Sequence, residues 1–362
     1  MKLTTHFLNV LSSFFSVKTH KERLVFVYIL IGFSVNPLSA QVDPIWEYSL
    51  KNFELRTYKQ AVDTLFLEWE KNSGELIEPG EKNKVGLKVY TASGPGLATS
   101  KDLVRAVIGS LVDRGYSPKD IFIIDYNREW LRACGFLPPL SVGGVTFYGH
   151  EVKVINSGEL YDELWYYDSP VPPREHYLPG ITPMVQELVE DDPNAEFKLP
   201  EDRKSFLPAP LIEGVDFWIN LPAVSDHEVL ELNGALVNAT LWNATNTLRF
   251  FHSPSNAPVA IAEMAAIPEF LETWDMNIVS LEKYQFIGGP QFNSLYAVSE
   301  KILIMGADPV SIDAYMVAKM NAWRERYGFP LISREIPMLV YAEQLGVGSG
   351  NQDPRRIVSL GE

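Results

Sequence analysis

Apolar runs alternate with amphipathic segments along most of the chain from Lys84 onward. The first such unit reads KVGLKVYT, ASGPGLATS, KDLVRAVIGSLVDRG and IFIIDY, and the last of these contains Asp125. The third segment has apolar residues at helical spacing, and Gly115 suits its C-terminal end. The pattern therefore predicts a strand, a loop, a helix and a second parallel strand, which together form a βαβ unit.

Further apolar runs predict additional strands, and the segments between them predict helices. The predicted strands cover residues 145–155, 215–224, 276–281 and 301–307, and the predicted helices cover about 228–247, 257–267, 309–325 and 334–345. Strands that alternate with helices indicate an α/β fold. We therefore predict an open, mostly parallel sheet with helices on both of its faces.

Two stretches depart from this alternation. Residues 41–83 carry aromatic and charged side chains that resemble an amphipathic helical lead-in to an α/β domain at 84–362. Between Ser169 and Pro210 the chain holds nine prolines and eight acidic residues. This composition predicts a proline-rich acidic insertion at about 157–212, wrapped on the surface of the same domain.

The first 40 residues have the composition of a secretory signal. The basic stretch KTHKER is followed by LVFVYILIGFSV, an apolar run of 12 residues, and then by NPLSA before Gln41. That run is too short to span a bilayer, and the small Ala40 suits a cleavage position. We predict an exported protein, periplasmic or secreted, with no stable membrane insertion after cleavage. An uncleaved membrane anchor is the alternative.

Composition excludes several classes of protein. Hydrophobic residues make up 46% of the chain, which is enough for a substantial core, and the formal net charge is −15. Because the lysines and arginines are scattered, we expect no nucleic-acid partner. The single cysteine, Cys134, excludes an internal disulfide and a cysteine-ligated iron–sulfur cluster in this chain. Its apolar context predicts a buried structural thiol rather than a nucleophile.

The loop SGPGLATS lies where a dinucleotide-binding turn would lie, with Gly94 and Gly96 as the candidate cofactor-binding residues. The match is incomplete, because a third glycine is missing, a proline removes a backbone donor, and Asp125 follows too late to serve as the ribose-binding acid. A tight turn in which Thr99 or Ser100 caps the next helix explains the same residues. An anion contact at that helix N-terminus stays open.

Two aspartates in GADPVSIDAYMVAKMNAW are the candidate metal ligands. Asp308 precedes Pro309 and has the form of a helix N-cap. Helical geometry puts the carboxylate of Asp313 in the middle of an apolar stripe, where it needs a cation or several donors as partners. Their oxygens suit a hard divalent cation, which is the one cofactor we leave open. Backbone amides of a neighbouring turn are the structural alternative.

Candidate catalytic residues follow another predicted strand. The run VDFWINLPAV leads into SDHE, so Asp226 and His227 come just past a strand's carboxyl end, the edge where open α/β sheets bind ligands. The stretch from residue 233 to 252 holds four asparagines and ends at His252. We interpret it as a helix, or a helix broken near Asn243 to Asn246, that carries amides into the site, with a polar helix face as the alternative.

The ordered elements NLPAVSDH, NGALVNATLW, RFFH, GGP, GADPVSIDA and LGVGSGNQD resemble those of the bacterial family called domain of unknown function 362, over roughly residues 84–360. The resemblance implies an α/β fold that is exported in many members and fused to ferredoxin modules in some, without a common established reaction. It also implies a site, in which the matching positions are His227, Asn238, His252, Asp308 and Asp313.

The sequence departs from that family's pattern at four places. Ser225 stands where the family has a lysine, Asp226 stands where it has a threonine, Val237 stands where it has a second lysine, and Ser280 stands where an aspartate is expected. These departures imply a changed substrate or lost catalysis.

The sequence therefore predicts an exported, enzyme-like α/β protein with a polar ligand or metal site at the strand ends. An unidentified small molecule is the expected ligand. The assigned residues are His227, His252 and Asp226 for catalysis, Asn238, Gly94 and Gly96 for a cofactor, and Asp308 and Asp313 for a metal. A non-catalytic envelope binding protein is the alternative, and a nicotinamide-dependent oxidoreductase is the weaker one.

Overall fold

The computed structural model describes residues 43–147, 151–171, 203–350 and 356–361. The predicted signal peptide at 1–40 and residues 172–202 of the predicted insertion lie outside these ranges. Within them, no helix combines the length and the apolar character that a membrane crossing requires.

Strands alternate with α-helices from Val85 to Asn156, and runs of consecutive strands and of consecutive helices follow. The strands are β1 (Ile45–Ser49), β2 (Val85–Val89), β3 (Ile121–Asp125), β4 (Lys153–Asn156), β5 (Tyr166–Asp168), β6 (Lys204–Phe206), β7 (Phe217–Leu221), β8 (Ser225–His227), β9 (Glu231–Asn233), β10 (Trp274–Ser280), β11 (Tyr284–Gln285), β12 (Ala297–Val298), β13 (Ile302–Gly306) and β14 (Ile357–Leu360). The α-helices are α1 (Leu55–Ser73), α2 (Lys101–Asp113), α3 (Arg128–Ala133), α4 (Ala209–Ile212), α5 (Ala235–Ala239), α6 (Asn256–Ala265), α7 (Pro268–Glu272), α8 (Pro309–Tyr327) and α9 (Pro337–Gln344).

The main sheet has the strand order β14-β1-β13-β10-β7-β2-β3-β4. The neighbours from β10 to β4 are all parallel, whereas β13 is antiparallel to both β10 and β1. A smaller sheet, β12-β11-β8-β9, and the antiparallel pair β5-β6 complete the strands of the described ranges. The predicted open, mostly parallel α/β sheet is confirmed.

Alternate side chains of each central strand enter two different cores. Leu87 and Ile219 pack with α1, α2 and α3, whereas Trp218 and Ile304 pack with α5 to α9. Because successive side chains of a strand point to opposite faces, the two cores lie on opposite faces of the sheet. Helices on both faces are therefore confirmed, and both faces of the central strands are buried.

The order of the strands creates a topological switch point between β2 and β7. From β2 the chain continues to β3 and β4 on one side, and it later returns to β7 on the other side and continues to β10. The connection from β2 to β3 contains α2, whose core is on one face, and the connection from β7 to β10 contains α5 to α7, whose core is on the other. The loops after β2 and β7 therefore diverge at the carboxyl edge of the sheet.

The predicted helical lead-in at 41–83 is wrong in its first part. Residues Ile45–Ser49 form β1, which pairs with β13 on one side and β14 on the other. The segment is therefore part of the sheet, and the predicted boundary at residue 84 does not separate two bodies. Its partner residues are remote in sequence, as Trp46 beside Met305 shows, so local periodicity could not identify the strand.

The predicted helix at 228–247 is also wrong. The chain instead forms β9, the short helix α5, a series of turns, and a 3-10 helix at Leu248–His252. The break comes at Thr240, before the predicted Asn243, and the Thr240 hydroxyl donates to the Leu236 carbonyl at 2.7 Å. Threonine and asparagine side chains compete with helical backbone bonds in this way, which favours turns over a continuous helix.

The predicted strand at 145–155 is shorter than expected. Only Lys153–Asn156 forms a strand, and Thr146 makes an isolated bridge to Lys153. Residues 148–150 lie outside the described ranges.

Candidate functional site

A cavity of about 440 Å³ opens at the topological switch point. We call it the switch-point crevice. Its walls come from residues of the segment 95–105, which contains the loop after β2 and the start of α2, and from residues 222–223 after β7. Ser280 at the end of β10, the following Glu282 and Lys283, and Cys134 complete the lining. This position is the one at which open α/β sheets bind ligands.

Charged side chains line the mouth of the switch-point crevice. Arg105 and Asp102 form an ion pair at 3.0 Å. The exposed ammonium groups of Lys101 and Lys283 have no hydrogen bond or ion pair with any residue that the structure describes. Glu282 is the remaining acid of the lining.

The Glu282 carboxylate is held in place by a hydrogen bond from α1. It accepts a hydrogen bond from the Tyr58 hydroxyl at 3.0 Å, and the same hydroxyl lies 2.6 Å from Ser280 Oγ. Burial and the neighbouring Glu282 raise the pKa of Tyr58, so the phenol stays protonated. Ser280 is the position at which the family resemblance leads us to expect an aspartate, and here it serves this contact.

The inner wall of the switch-point crevice contains Leu103, Pro222, Ala223 and Cys134, all of them buried. Burial raises the pKa of the Cys134 thiol to about 12, so the thiol is neutral at physiological pH. A neutral thiol is a poor nucleophile, which agrees with the structural role expected for this residue. The inner wall is therefore uncharged.

The N-terminus of α2 faces the switch-point crevice without a side-chain cap. Ser100 is the N-cap residue but makes no capping hydrogen bond. The Thr99 hydroxyl points elsewhere, because it accepts from the Tyr90 amide at 2.8 Å and donates to the Leu221 carbonyl at 2.5 Å. The predicted capping by Thr99 or Ser100 is therefore wrong, and no side chain of these two residues satisfies the first-turn amides.

Gly94 and Gly96 are explained by a turn and by packing. Gly94 has φ of 74°, which favours glycine, and its carbonyl accepts from the Leu97 amide at 3.1 Å. A Cβ on Gly96 would lie 2.2 Å from the ring of Phe292, so a side chain has no room there. Asp125, which the sequence places too late for a ribose-binding acid, pairs with Lys88 at 2.7 Å. The geometry supports the tight turn rather than a dinucleotide-binding loop.

Sequence reasoning missed a buried polar row on three neighbouring strands. Lys88, Asn220 and Asn277 lie in register on β2, β7 and β10, and all three are fully buried. We call this row the polar ladder. Asn220 Nδ2 donates to Asn277 Oδ1 at 2.9 Å, so these two members of the row are bonded directly. The available signal was a polar residue inside each of the apolar runs KVGLKVYT, VDFWINLPAV and MNIVSL.

Asn238, a predicted site residue, completes the polar ladder. Its Oδ1 accepts from Lys88 Nζ at 2.9 Å, and its Nδ2 donates to Asn220 Oδ1 at 2.7 Å. Lys88 also donates to the Asp125 carboxylate at 2.7 Å, while Thr91 donates to the other oxygen of that carboxylate. Burial lowers the pKa of Lys88 although the Asp125 charge opposes the shift. Asn238 thus lies in a closed network beside the crevice and does not line it.

Asp226 and His227 lie on β8, outside the main sheet. The Asp226 carboxylate accepts from the amides of Gly288 at 3.0 Å and Gly289 at 2.6 Å, and it pairs with Arg324 at 3.1 Å. Burial raises the pKa of Asp226, against the effect of these donors. The two amide contacts hold the loop that follows β11, and the ion pair joins β8 to α8.

His227 is buried and stacks on Phe251, with ring centroids 5.3 Å apart. Burial lowers the pKa of His227 to about 4. Its Nδ1 accepts from the amides of Val229 at 3.1 Å and Leu230 at 3.3 Å, so the neutral ring carries its proton on Nε2. The lone pair that a general base needs is therefore used by the backbone. The side chain of His252 lies outside the described part of the structure.

Asp308 and Asp313 are both held by hydrogen-bond donors. Asp308 caps α8 through the Ser311 amide at 3.0 Å and accepts from the Ser349 amide at 2.8 Å. Asp313 accepts from the amides of Ala235 at 2.6 Å and Leu236 at 3.0 Å, the structural alternative named above. Burial raises the pKa of Asp313 to about 7.

The predicted site residues share no hydrogen bonds with one another in the described ranges. Among the described side chains, none of Asp226, His227, Asn238, Asp308 and Asp313 hydrogen-bonds to another member of the set. In the same ranges, no group of three or more histidine, cysteine, aspartate or glutamate side chains is arranged to hold a metal ion. Their catalytic and ligand-binding roles stay predictions.

Comparisons with known proteins add no function. No protein-family model matches the chain, and no curated protein is similar to it. The resemblance to the domain of unknown function 362 family therefore stays a prediction. A crystal structure of a protein from Thermotoga maritima, determined by the Northeast Structural Genomics Consortium, is 14% identical with a TM-score of 0.38. The match covers 76% of this chain and 59% of that one.

Proposed function

We propose that this protein binds a small organic anion in the switch-point crevice. The observation that carries the proposal is the cavity of about 440 Å³ between the loops that follow β2 and β7. Ligands of open α/β sheets bind at such points, because the diverging loops leave room beside the strand ends.

The charge of the ligand is inferred from the lining side chains. Arg105 and Asp102 neutralise each other, while Lys101 and Lys283 have no partner among the described residues. Glu282 supplies one opposing charge. In a chain with a formal net charge of −15, two such lysines at one cavity create a local positive potential that attracts anions.

The start of α2 adds to this potential. The helix has 13 residues, and its first-turn amides donate no hydrogen bond to the Ser100 side chain. Unsatisfied amides and the helix dipole both favour negative charge at an N-terminus. Lys101 is the first residue of the helix, so its ammonium and these amides act on the same side of the crevice.

A divalent cation is the weaker candidate ligand. Each carboxylate oxygen of Asp308 and Asp313 already accepts at least one hydrogen bond from an amide or a hydroxyl. A cation would have to replace these donors. Elemental analysis of the purified protein tests this candidate, and a stoichiometric metal that is lost in Asp313→Asn would favour it over the anion.

The proposal includes an extracytoplasmic location, supported by the signal-like N-terminus described above. We expect N-terminal sequencing of the exported protein to begin at Gln41. Recovery of the intact leader in the membrane fraction would contradict cleavage and favour the anchor.

Anion binding is tested with inorganic phosphate and acetate as probes that resemble only the charged group of a ligand. We expect both anions to raise the Tm of the wild-type protein and to have about tenfold weaker apparent affinity for the K101A/K283A variant, because two charges are lost. The matched control is Lys301→Ala, which removes an exposed lysine that does not line the cavity. Equal stabilisation of the wild type and the double variant, or none of either, would contradict the proposal.

A further inference from the structure

A closed cycle of hydrogen bonds holds the acid that lines the switch-point crevice. The Glu282 amide donates to Ser280 Oγ at 3.1 Å, Ser280 Oγ lies 2.6 Å from the Tyr58 hydroxyl, and that hydroxyl donates to Glu282 Oε2 at 3.0 Å. A phenol has one proton and a carboxylate has none, so Ser280 is the donor to Tyr58. The cycle therefore restricts the orientation of the Glu282 carboxylate.

The other oxygen of this carboxylate, Glu282 Oε1, accepts no hydrogen bond from any residue that the structure describes. Within the same ranges Glu282 forms no ion pair, although Lys283 follows it in the chain and Lys101 lines the same cavity. The side chain is half-buried. An oriented carboxylate with an unused oxygen is an acceptor for a donor group that enters the crevice.

Charges of both signs thus line one cavity without neutralising each other. Lys101 and Lys283 supply exposed ammonium groups, and Glu282 supplies the oriented carboxylate. The other charged residues of the lining, Asp102 and Arg105, pair with each other at 3.0 Å. A simple anion is attracted by the lysines but repelled by Glu282, whereas a ligand that carries both signs is attracted by both kinds of group.

The two kinds of group lie close enough for one small molecule. The side chain of Ser100, which directly precedes Lys101, is hydrogen-bonded to the same Tyr58 hydroxyl that donates to Glu282. Two hydrogen bonds of about 2.8 Å each put Ser100 Oγ within about 6 Å of the Glu282 carboxylate. A molecule with one or two carbon atoms between its ammonium and its carboxylate spans this distance.

From this arrangement we infer that the ligand is a small zwitterion of the α-amino acid class, whose carboxylate binds beside Lys101 and Lys283 and whose ammonium donates to Glu282 Oε1. The inference rests on the proposed anion binding and names the class of ligand. The cavity of about 440 Å³ has room for such a molecule.

A matched pair of ligands tests the inference. Alanine and propanoate have the same carbon skeleton and differ by the ammonium group, and both are titrated into the full-length protein at pH 7.5 by calorimetry. We expect alanine to bind about tenfold more tightly, because it adds a charge-assisted hydrogen bond to Glu282. Propanoate affinity equal to or above that of alanine would overturn the inference but leave anion binding intact. Failure of alanine, propanoate, acetate and phosphate alike to bind would overturn both.

The variant Glu282→Gln separates the two signs of charge. It keeps an oxygen that accepts from Tyr58 and loses the negative charge. We expect the affinity for alanine to fall by about tenfold and the affinity for propanoate to rise by about twofold, because a repelling charge is gone. A purely structural role of Glu282 would weaken both ligands together, and that result would overturn the inference. The control is Glu272→Gln, an exposed carboxylate outside the crevice, which should change neither affinity.

The variant Tyr58→Phe tests the positioning role of the hydrogen-bonded cycle. It removes the hydroxyl and leaves the charges of Glu282, Lys101 and Lys283 in place. We expect the preference for alanine over propanoate to fall from about tenfold to about threefold, with the affinity for propanoate unchanged. An unchanged preference would contradict the role of Tyr58 in orienting the carboxylate.

Discussion

At the scale of single residues, backbone amides hold the buried carboxylates and the buried imidazole. Asp313 accepts from two amides at the start of α5, and Asp226 accepts from two consecutive glycine amides. The first contact requires a glycine, because a Cβ on Gly234 would lie 2.1 Å from Asp313 Oδ1. The buried position of Asp313 was predictable from helical spacing. The identity of its partners was not predictable, because they lie 77 or 78 residues away in the sequence.

His227 gives a prediction for the dependence of stability on pH. Burial lowers its pKa to about 4 from the ordinary value of 6.5, so the unfolded chain binds a proton at this residue before the folded chain does. Its contribution to stability is therefore present above pH 6.5 and is lost as the pH falls towards 4. We expect a loss of up to about 3 kcal/mol over that interval, measured by urea unfolding.

The variant His227→Gln separates this effect from other titrations. Its free energy of unfolding at pH 7.5 falls because the ring contact with Phe251 is lost. Its change between pH 7.5 and 4.5 should be smaller than that of the wild type by the amount that His227 contributes. If the free energy of unfolding changed with pH by the same amount in the two proteins, the lowered pKa of His227 would be contradicted.

At the scale of elements, Arg249 joins two segments of the predicted insertion. Its Nη1 donates to the carbonyls of Ser169, at 3.0 Å, and of Val171, while its Nη2 donates to the Arg203 carbonyl at 2.6 Å and to Ser205 Oγ at 3.1 Å. The guanidinium is fully buried. One side chain thus fixes residues 169–171 beside the strand β6, and both segments belong to the predicted insertion.

We expect Arg249→Lys to destabilise the protein by roughly 2–4 kcal/mol, because an ammonium cannot reproduce the planar fork and leaves buried carbonyls without donors. Chemical unfolding of the variant measures the loss. The control is Arg203→Lys, whose half-exposed side chain pairs with the half-exposed Asp168, and we expect a change within about 0.5 kcal/mol. A similar cost for both variants would show that Arg249 has no special role.

Elements whose stabilising pattern is local were predictable from the sequence, and the others were not. The helix α2 begins at Lys101, and α8 begins at Pro309 directly after its Asp308 cap, as their periodicity and start signals indicate. The strand β1 is specified by pairing with β13, about 250 residues later in the chain, and α5 by the Asp313 contact, so neither has a sufficient local signal.

At the scale of the whole molecule, the polar ladder connects the strands on both sides of the switch point. Lys88 lies on β2, Asn220 and Asn277 lie on β7 and β10, and Asp125 ends β3. The network therefore crosses four adjacent strands beneath α5. The α/β class and the position of the carboxyl edge followed from the order of the apolar runs. The polar ladder could not be predicted from that order, because the register of β2, β7 and β10 is fixed only when the sheet forms.

The ion pair of Lys88 and Asp125 gives the last prediction, which concerns the energetics of this network. Both side chains are almost fully buried, and their charged atoms lie 2.7 Å apart. Removal of one partner leaves a buried charge uncompensated, so we expect Lys88→Met or Asp125→Leu to cost about 3–5 kcal/mol each. The double variant should cost clearly less than the sum, because it leaves neither charge unpaired. The coupling energy is measured by a double-mutant cycle in urea. Additive costs would mean that the two charges are not coupled and that packing alone explains the losses. Strong coupling would make the polar ladder a cooperative unit that fixes the register of the sheet beside the crevice.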